Sequence, residues 1–149
     1  MTSVLVINLS GSNTNTALGT PAEADFLAGG LVADGPTVTI MANGPYSVGV
    51  KGHTSTFAYS GPALTNPNKL ASDLTWAPGT GAAPGTCAAV PTYGNNMGSS
   101  SKLMSGSVGA PAISASAPSQ QICYRTLWTF ASSPPGTYML MVDFTLSEP

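Results

Sequence analysis

The sequence predicts an all-β fold: an antiparallel two-sheet β-sandwich of about seven strands, formed by one domain over residues 1–149. Three observations carry this expectation. Gly, Pro, Ser, Thr and Asn make up 73 of the 149 residues, whereas strong helix formers with charged side chains are scarce. Apolar residues, 42% of the chain, come in short bursts between turn residues. The last third holds two long runs with a period of two, whose apolar faces need a second sheet to cover them.

Taken in order, residues 3–9 (SVLVINL) form an apolar run long enough for one strand. Residues 10–22 are polar and Gly-rich and read as an exposed tether. Residues 21–28 admit either a helical turn or a continued connection: Pro21 could open such a turn, Glu23 and Asp25 would lie in its first turn and Gly29-Gly30 would stop it. Residues 37–41 and 46–50 each alternate, and Asn43-Gly44-Pro45 lies between them. An Asn-Gly step between two alternating runs predicts a β-hairpin. Residues 54–60 and 70–76 are two further strands, closed by Gly61-Pro62 and Pro78-Gly79. Residues 77–120 are a long Ala/Gly/Ser/Pro-rich excursion, within which residues 102–108 are expected to pair as an edge strand.

In residues 121–130, Ile122, Tyr124, Thr126, Trp128 and Phe130 fall on one face. In residues 137–146, Tyr138, Leu140, Val142, Phe144 and Leu146 do the same. Pro134-Pro135-Gly136 is read as the rigid reversal that joins them, because neither proline can extend a ladder.

Charge narrows the functional classes. Only 7% of residues are charged and the net charge is −2, against roughly 25% charged residues in an average domain. A protein bound to nucleic acid through phosphate neutralisation needs a clustered basic face, which four Lys and Arg residues do not supply. No apolar run is long enough to span a membrane as a helix. No cofactor is expected, because titratable groups are too few and too scattered to converge. His53 sits in a Gly-His-Thr turn and reads as a solvated surface residue. No spacing of His and Cys suits a metal site. Ser99-Ser100-Ser101-Lys102 matches S-x-x-K by chance in a serine-rich loop, and the glycines from Gly79 lack the βαβ setting of a dinucleotide site. Asp73 and Asp143 could meet in space as the paired acids of glycoside hydrolysis, but nothing in their spacing compels it. The Asn8-Leu9-Ser10 sequon lies in a strand-like run. The expected class is not an enzyme.

Cys87 and Cys123 are expected to form a disulfide that ties the 77–120 excursion to the penultimate strand. The alternative is two unpaired thiols, one buried and one exposed. Among the aromatics, alternation makes Tyr124, Trp128 and Tyr138 core. Trp76 and Tyr93 adjoin loop segments and are the candidates for an exposed, glycan-stacking platform.

Two segments carry a resemblance: Asn43-Gly44-Pro45-Tyr46-Ser47-Val48, an asparagine turn before an aromatic-led strand, and Pro134-Pro135-Gly136-Thr137-Tyr138 before the final strand. Together they resemble small bacterial secreted or fimbrial β-sandwich domains of the spore-coat-U or pilin-like kind. That resemblance implies a non-enzymatic, extracellular surface or appendage subunit that assembles with copies of itself by strand donation. The residues offer a physical route: Val4, Leu5, Val6, Ile7 and Leu9 form a short apolar strand on a polar tether, able to complete its own sheet or a neighbour's. Met1-Thr2-Ser3 has no basic region before the strand, so an exported chain is expected to have lost its leader. Two rivals remain, a leaderless virion decoration or capsid-associated protein, and a carbohydrate-binding module.

Overall fold

A computed structural model describes residues 5–10, 16–28, 30–63, 67–88, 90, 92–106, 117–130 and 133–149. The fold is all-β, with antiparallel sheets packed against each other. Among the described residues there are ten strands rather than about seven: β1 Leu5–Ser10, β2 Leu31–Ala42, β3 Tyr46–Gly52, β4 Ala58–Ser60, β5 Leu74–Pro78, β6 Asn95–Asn96, β7 Ser101–Gly106, β8 Ser119–Thr126, β9 Thr137–Met139 and β10 Val142–Ser147. One helix, α1 (Glu23–Leu27), and one 3-10 turn (Ala71–Asp73) accompany them. Of the two readings of this segment the helical one forms, but it starts two residues after Pro21, with Ala22 as its cap and Glu23 and Asp25 in its first turn. The Asp25 carboxylate accepts the Ala22 N–H at 2.7 Å, which ties off an otherwise unpaired donor at the helix start.

The strands form a five-stranded sheet in the order β1-β2-β8-β5-β6, a three-stranded sheet in the order β10-β3-β7 and a two-stranded ribbon of β4 and β9. Between the two larger sheets lies the core. Val38, Ile40 and Ala42 of β2, Leu74 and Trp76 of β5, and Ile122 and Tyr124 of β8 meet Tyr46, Val48 and Val50 of β3 and Leu103 of β7. The edge strand expected at 102–108 within the excursion is β7, which pairs with β3 along one edge of its sheet; residues 107 and 108 lie outside the described residues.

Two expectations about pairing and one about strand length are corrected. β2 and β3 do not form a hairpin; Asn43-Gly44-Pro45 carries the chain from one sheet to the other. Alternation dictates that Val38, Ile40, Val48 and Val50 all point inward, a condition met equally well from opposite sides of one core. The ladder positions beside β2 belong instead to β1 and β8.

Nor do the two C-terminal runs share a sheet: β8 lies between β2 and β5, and β10 pairs with β3. The strand ends at Thr126, and Phe130, expected on its apolar face, is 71% exposed and stacked on Phe26 at a centroid distance of 4.4 Å. Finally, the runs at 54–60 and 70–76 are shorter as strands than expected. The first contributes only β4, and the second opens with the 3-10 turn.

A β-bulge in β2 decides which side chains reach which face. Asp34 stands opposite Cys123 and Thr37 opposite Gln121, so Gly35 and Pro36 together oppose Ile122. This extra residue switches the even-numbered side chains from the outer face (Val32, Asp34) to the core (Val38, Ile40). Only glycine fits the close approach: a Cβ on Gly35 would lie 2.6 Å from Ile122 Cγ2 and 2.6 Å from Tyr124 Cε2. Gly35→Ala is therefore expected to cost roughly 2 kcal/mol or more in urea denaturation, the scale of overpacking a dense core. A cost within about 0.5 kcal/mol, typical of surface changes, would show that the bulge is not held this tightly.

Candidate functional site

Two surface features bring polar and apolar side chains together. The first is a groove between β1 and β10, edge strands of the two opposing sheets that lie side by side. Ile7 and Leu9 line it from β1, Val142, Asp143, Phe144 and Thr145 from β10, and Lys51 from β3; its volume is about 610 Å³. Leu5, Ile7, Val142, Phe144 and Leu146 are partly buried hydrophobics packed on the core. The core thus reaches solvent along this flank, between two strands that, among the described residues, stand at the edges of their sheets. Asp143 stands opposite Lys51 in the β10–β3 ladder, and His53 Nδ1 lies 3.1 Å from Asp143 Oδ2. His53, expected as a lone solvated residue, is half-exposed but has this acid as a partner, and its backbone N–H donates to Met141 O at 2.8 Å.

Of the predicted assembly strand, Leu5, Val6, Ile7 and Leu9 lie in β1, which pairs with β2 of its own chain from Leu5↔Ala42 to Ser10↔Thr37. Val6 and Leu9 are exposed. Val4 lies outside the described residues.

The second feature is a cleft of about 580 Å³ on the outer face of the five-stranded sheet, lined by Val32, Asp34, Thr86, Cys87, Ala88, Val90, Tyr93 and Gln121. The disulfide Cys87–Cys123 forms, with a Cα–Cα distance of 5.5 Å. It pins the segment after β5 across β8, whose Cys123 faces outward between Gln121 and Arg125. Hydrogen bonds hold the same segment to the strand: Gly79 N–H to Gln121 O at 2.8 Å, Gln121 N–H to Pro84 O at 2.7 Å, and Gln120 Nε2 to Gly79 O at 2.9 Å. Thr80 and Thr86 exchange backbone hydrogen bonds and close the loop on itself. Burial pushes the Tyr93 phenol above its ordinary pKa, an effect opposed by the Arg125 charge and reinforced by Asp34.

The expected aromatic platform does not exist as a pair. Trp76 is 0% exposed, pointing from β5 into the core, whereas Tyr93 is half-buried in the outer cleft. Proximity to Pro78-Gly79 suggested exposure, but β5 lies between β8 and β6, and its inward face is covered by the opposing sheet. Asp73 and Asp143 also take separate partners. Asp73 Oδ2 lies 3.6 Å from Lys69 Nζ, and Asp143 pairs with His53.

Lys69 escaped the sequence reading altogether. It is 2% exposed, its ammonium donates to Leu127 O, and it sits 4.6 Å from the Trp128 ring centroid and 5.8 Å from that of Phe57. Desolvation lowers its pKa, and the Asp73 charge opposes that shift. This is a buried cation held by a carboxylate, a carbonyl and two aromatic faces, an arrangement that ties the segment before β5 to the end of β8. The Lys69–Asp73 spacing alone does not mark it in the sequence, because the carbonyl and the nearer ring that bury it, Leu127 and Trp128, come from far along the chain.

Among the described residues, no three or more His, Cys, Asp or Glu side chains lie close enough to hold a metal ion. No described helix is long and apolar enough to cross a membrane. Comparison with known proteins finds no matching family and no curated relative.

Proposed function

We propose that this protein is a non-enzymatic structural subunit, of a cell surface or an appendage, that associates with copies of itself through β-strand contacts at the β1–β10 flank. The observation that carries this reading is the groove itself, where two strands at the sheet edges among the described residues run beside each other over partly exposed core side chains. An extended segment laid there gains main-chain hydrogen bonds from an edge and apolar burial from Ile7, Leu9, Val142 and Phe144. A second copy suits the site on charge grounds. The groove carries both Lys51 and Asp143, so two copies meeting face to face bring each lysine to the other's aspartate. A net charge of −2 opposes such self-association only weakly. The disulfide supports an oxidising, extracellular setting over a reducing one, and so weighs against the virion alternative with reduced cysteines.

Light scattering over a concentration series tests the reading. The wild-type protein is expected to associate, and Leu9→Lys to leave it monomeric with an unchanged thermal midpoint. Lys51→Glu is expected to weaken association by about tenfold or more, and the double swap Lys51→Glu/Asp143→Lys to restore it. A wild-type chain that stays monomeric, or an oligomer that survives both Leu9→Lys and deletion of residues 1–12, would refute the proposal.

A further inference from the structure

We infer that the outer cleft between the disulfide-pinned loop and the five-stranded sheet is a binding site for a neutral sugar residue, with Tyr93 as the stacking ring and Asp34, Gln121 and Thr86 as hydrogen-bonding groups. The inference goes beyond self-association, since the cleft shares no lining residue with the β1–β10 groove.

The chemistry of the lining selects the ligand class. A pyranose has an apolar C–H face and a rim of hydroxyls, so it needs an aromatic surface and groups that both donate and accept. Tyr93 supplies the ring. The Asp34 carboxylate accepts, the Gln121 amide does both, and so does the Thr86 hydroxyl. Val32, Ala88 and Val90 complete an apolar wall. Other classes fit less well. An anion would meet the Asp34 carboxylate in the cleft wall. A purely apolar ligand would strand four polar side chains from water without partners. The volume, about 580 Å³, lies within the roughly 300–1,000 Å³ of small-molecule sites.

The cleft is also positioned by rigid elements. The bulge at Gly35-Pro36 turns Val32 and Asp34 outward, and the disulfide fixes Cys87 against β8. Little ordering remains to oppose binding at the Asp34 and Cys87 walls.

Saturation-transfer NMR with a panel of glucose, galactose, mannose, N-acetylglucosamine and their β-linked disaccharides tests this on the full chain. At least one sugar is expected to bind saturably. Tyr93→Ala and Asp34→Asn are each expected to weaken it by about tenfold or more, while Tyr93→Phe, which keeps the ring, retains most of the binding. The thermal midpoint of each variant is measured alongside; if Tyr93→Ala lowers it, the exposed and nearly isosteric Asp34→Asn decides. Absence of saturable binding by every sugar, or binding unchanged in Asp34→Asn, overturns the inference. Because association is read separately by light scattering, failure of one proposal leaves the other standing.

Discussion

Trp76→Ala is expected to lower stability by about 4 kcal/mol, among the largest effects of any single substitution in this chain. The indole is fully buried among Ile40, Ile122 and Val48 in the core cluster, so truncation removes a large transfer contribution and leaves a cavity. Trp76→Phe sharpens the test. The indole Nε1 is buried without a hydrogen-bond acceptor among the described residues, so removing it relieves an unmet polar group while most of the ring volume stays. That variant is expected to cost about 1–2 kcal/mol, less than half the alanine effect. Urea denaturation reads both. Were Trp76 an exposed stacking surface instead, alanine would change stability by no more than about 0.5 kcal/mol. Such a result would contradict the inward orientation of β5.

Opening the Cys87–Cys123 bridge is expected to cost a similar amount. The bond spans 36 positions, and in the chain-entropy account closing such a loop restricts the unfolded chain by about 4 kcal/mol. For a domain of this length the thermal midpoint of the Cys87→Ala/Cys123→Ala variant should fall by roughly 8–15 °C. Local consequences should differ along the loop. Residues 79–86 keep their hydrogen bonds to β8 and to each other, whereas the stretch toward Tyr93 loses the covalent tie at its start. Chymotrypsin is therefore expected to cut after Tyr93 sooner in the variant than in the wild-type chain. A midpoint shift below about 3 °C, with unchanged cleavage, would mean that the loop is held by its hydrogen bonds alone.

Much of the architecture was legible in residue order. The inward positions of β3, of β8 and of β2 beyond its bulge follow from alternation: Val38, Ile40, Val48, Val50, Ile122 and Tyr124 are all buried. The composition pointed to the all-β class, and the cysteine pair to the disulfide over two unpaired thiols. The candidate sites were far less legible. Leu9 and Ile7 could be placed on an apolar strand, but Lys51, Val142 and Phe144 join them only because β10 comes to lie beside β1. Tyr93 was singled out for its loop setting, yet Asp34 and Gln121 reach it only through a bulge and a disulfide that act across the sheet. Trp76 shows the converse: a neighbouring turn signal marks where a strand ends, not whether its last residues face solvent.

Taken alone, the amino-acid order determined the longer strand-forming segments and the inward faces of β3 and β8, because side-chain direction along a strand repeats every two residues and hydrophobic burial reads that period locally. Which strands became neighbours was decided only by the tertiary structure. Ladder hydrogen bonds join backbone groups that are alike at nearly every residue, so no local pattern names the partner. The arch at Asn43-Gly44-Pro45, the placement of β8 between β2 and β5, and the open flank between β1 and β10 all follow from packing two apolar faces onto one core.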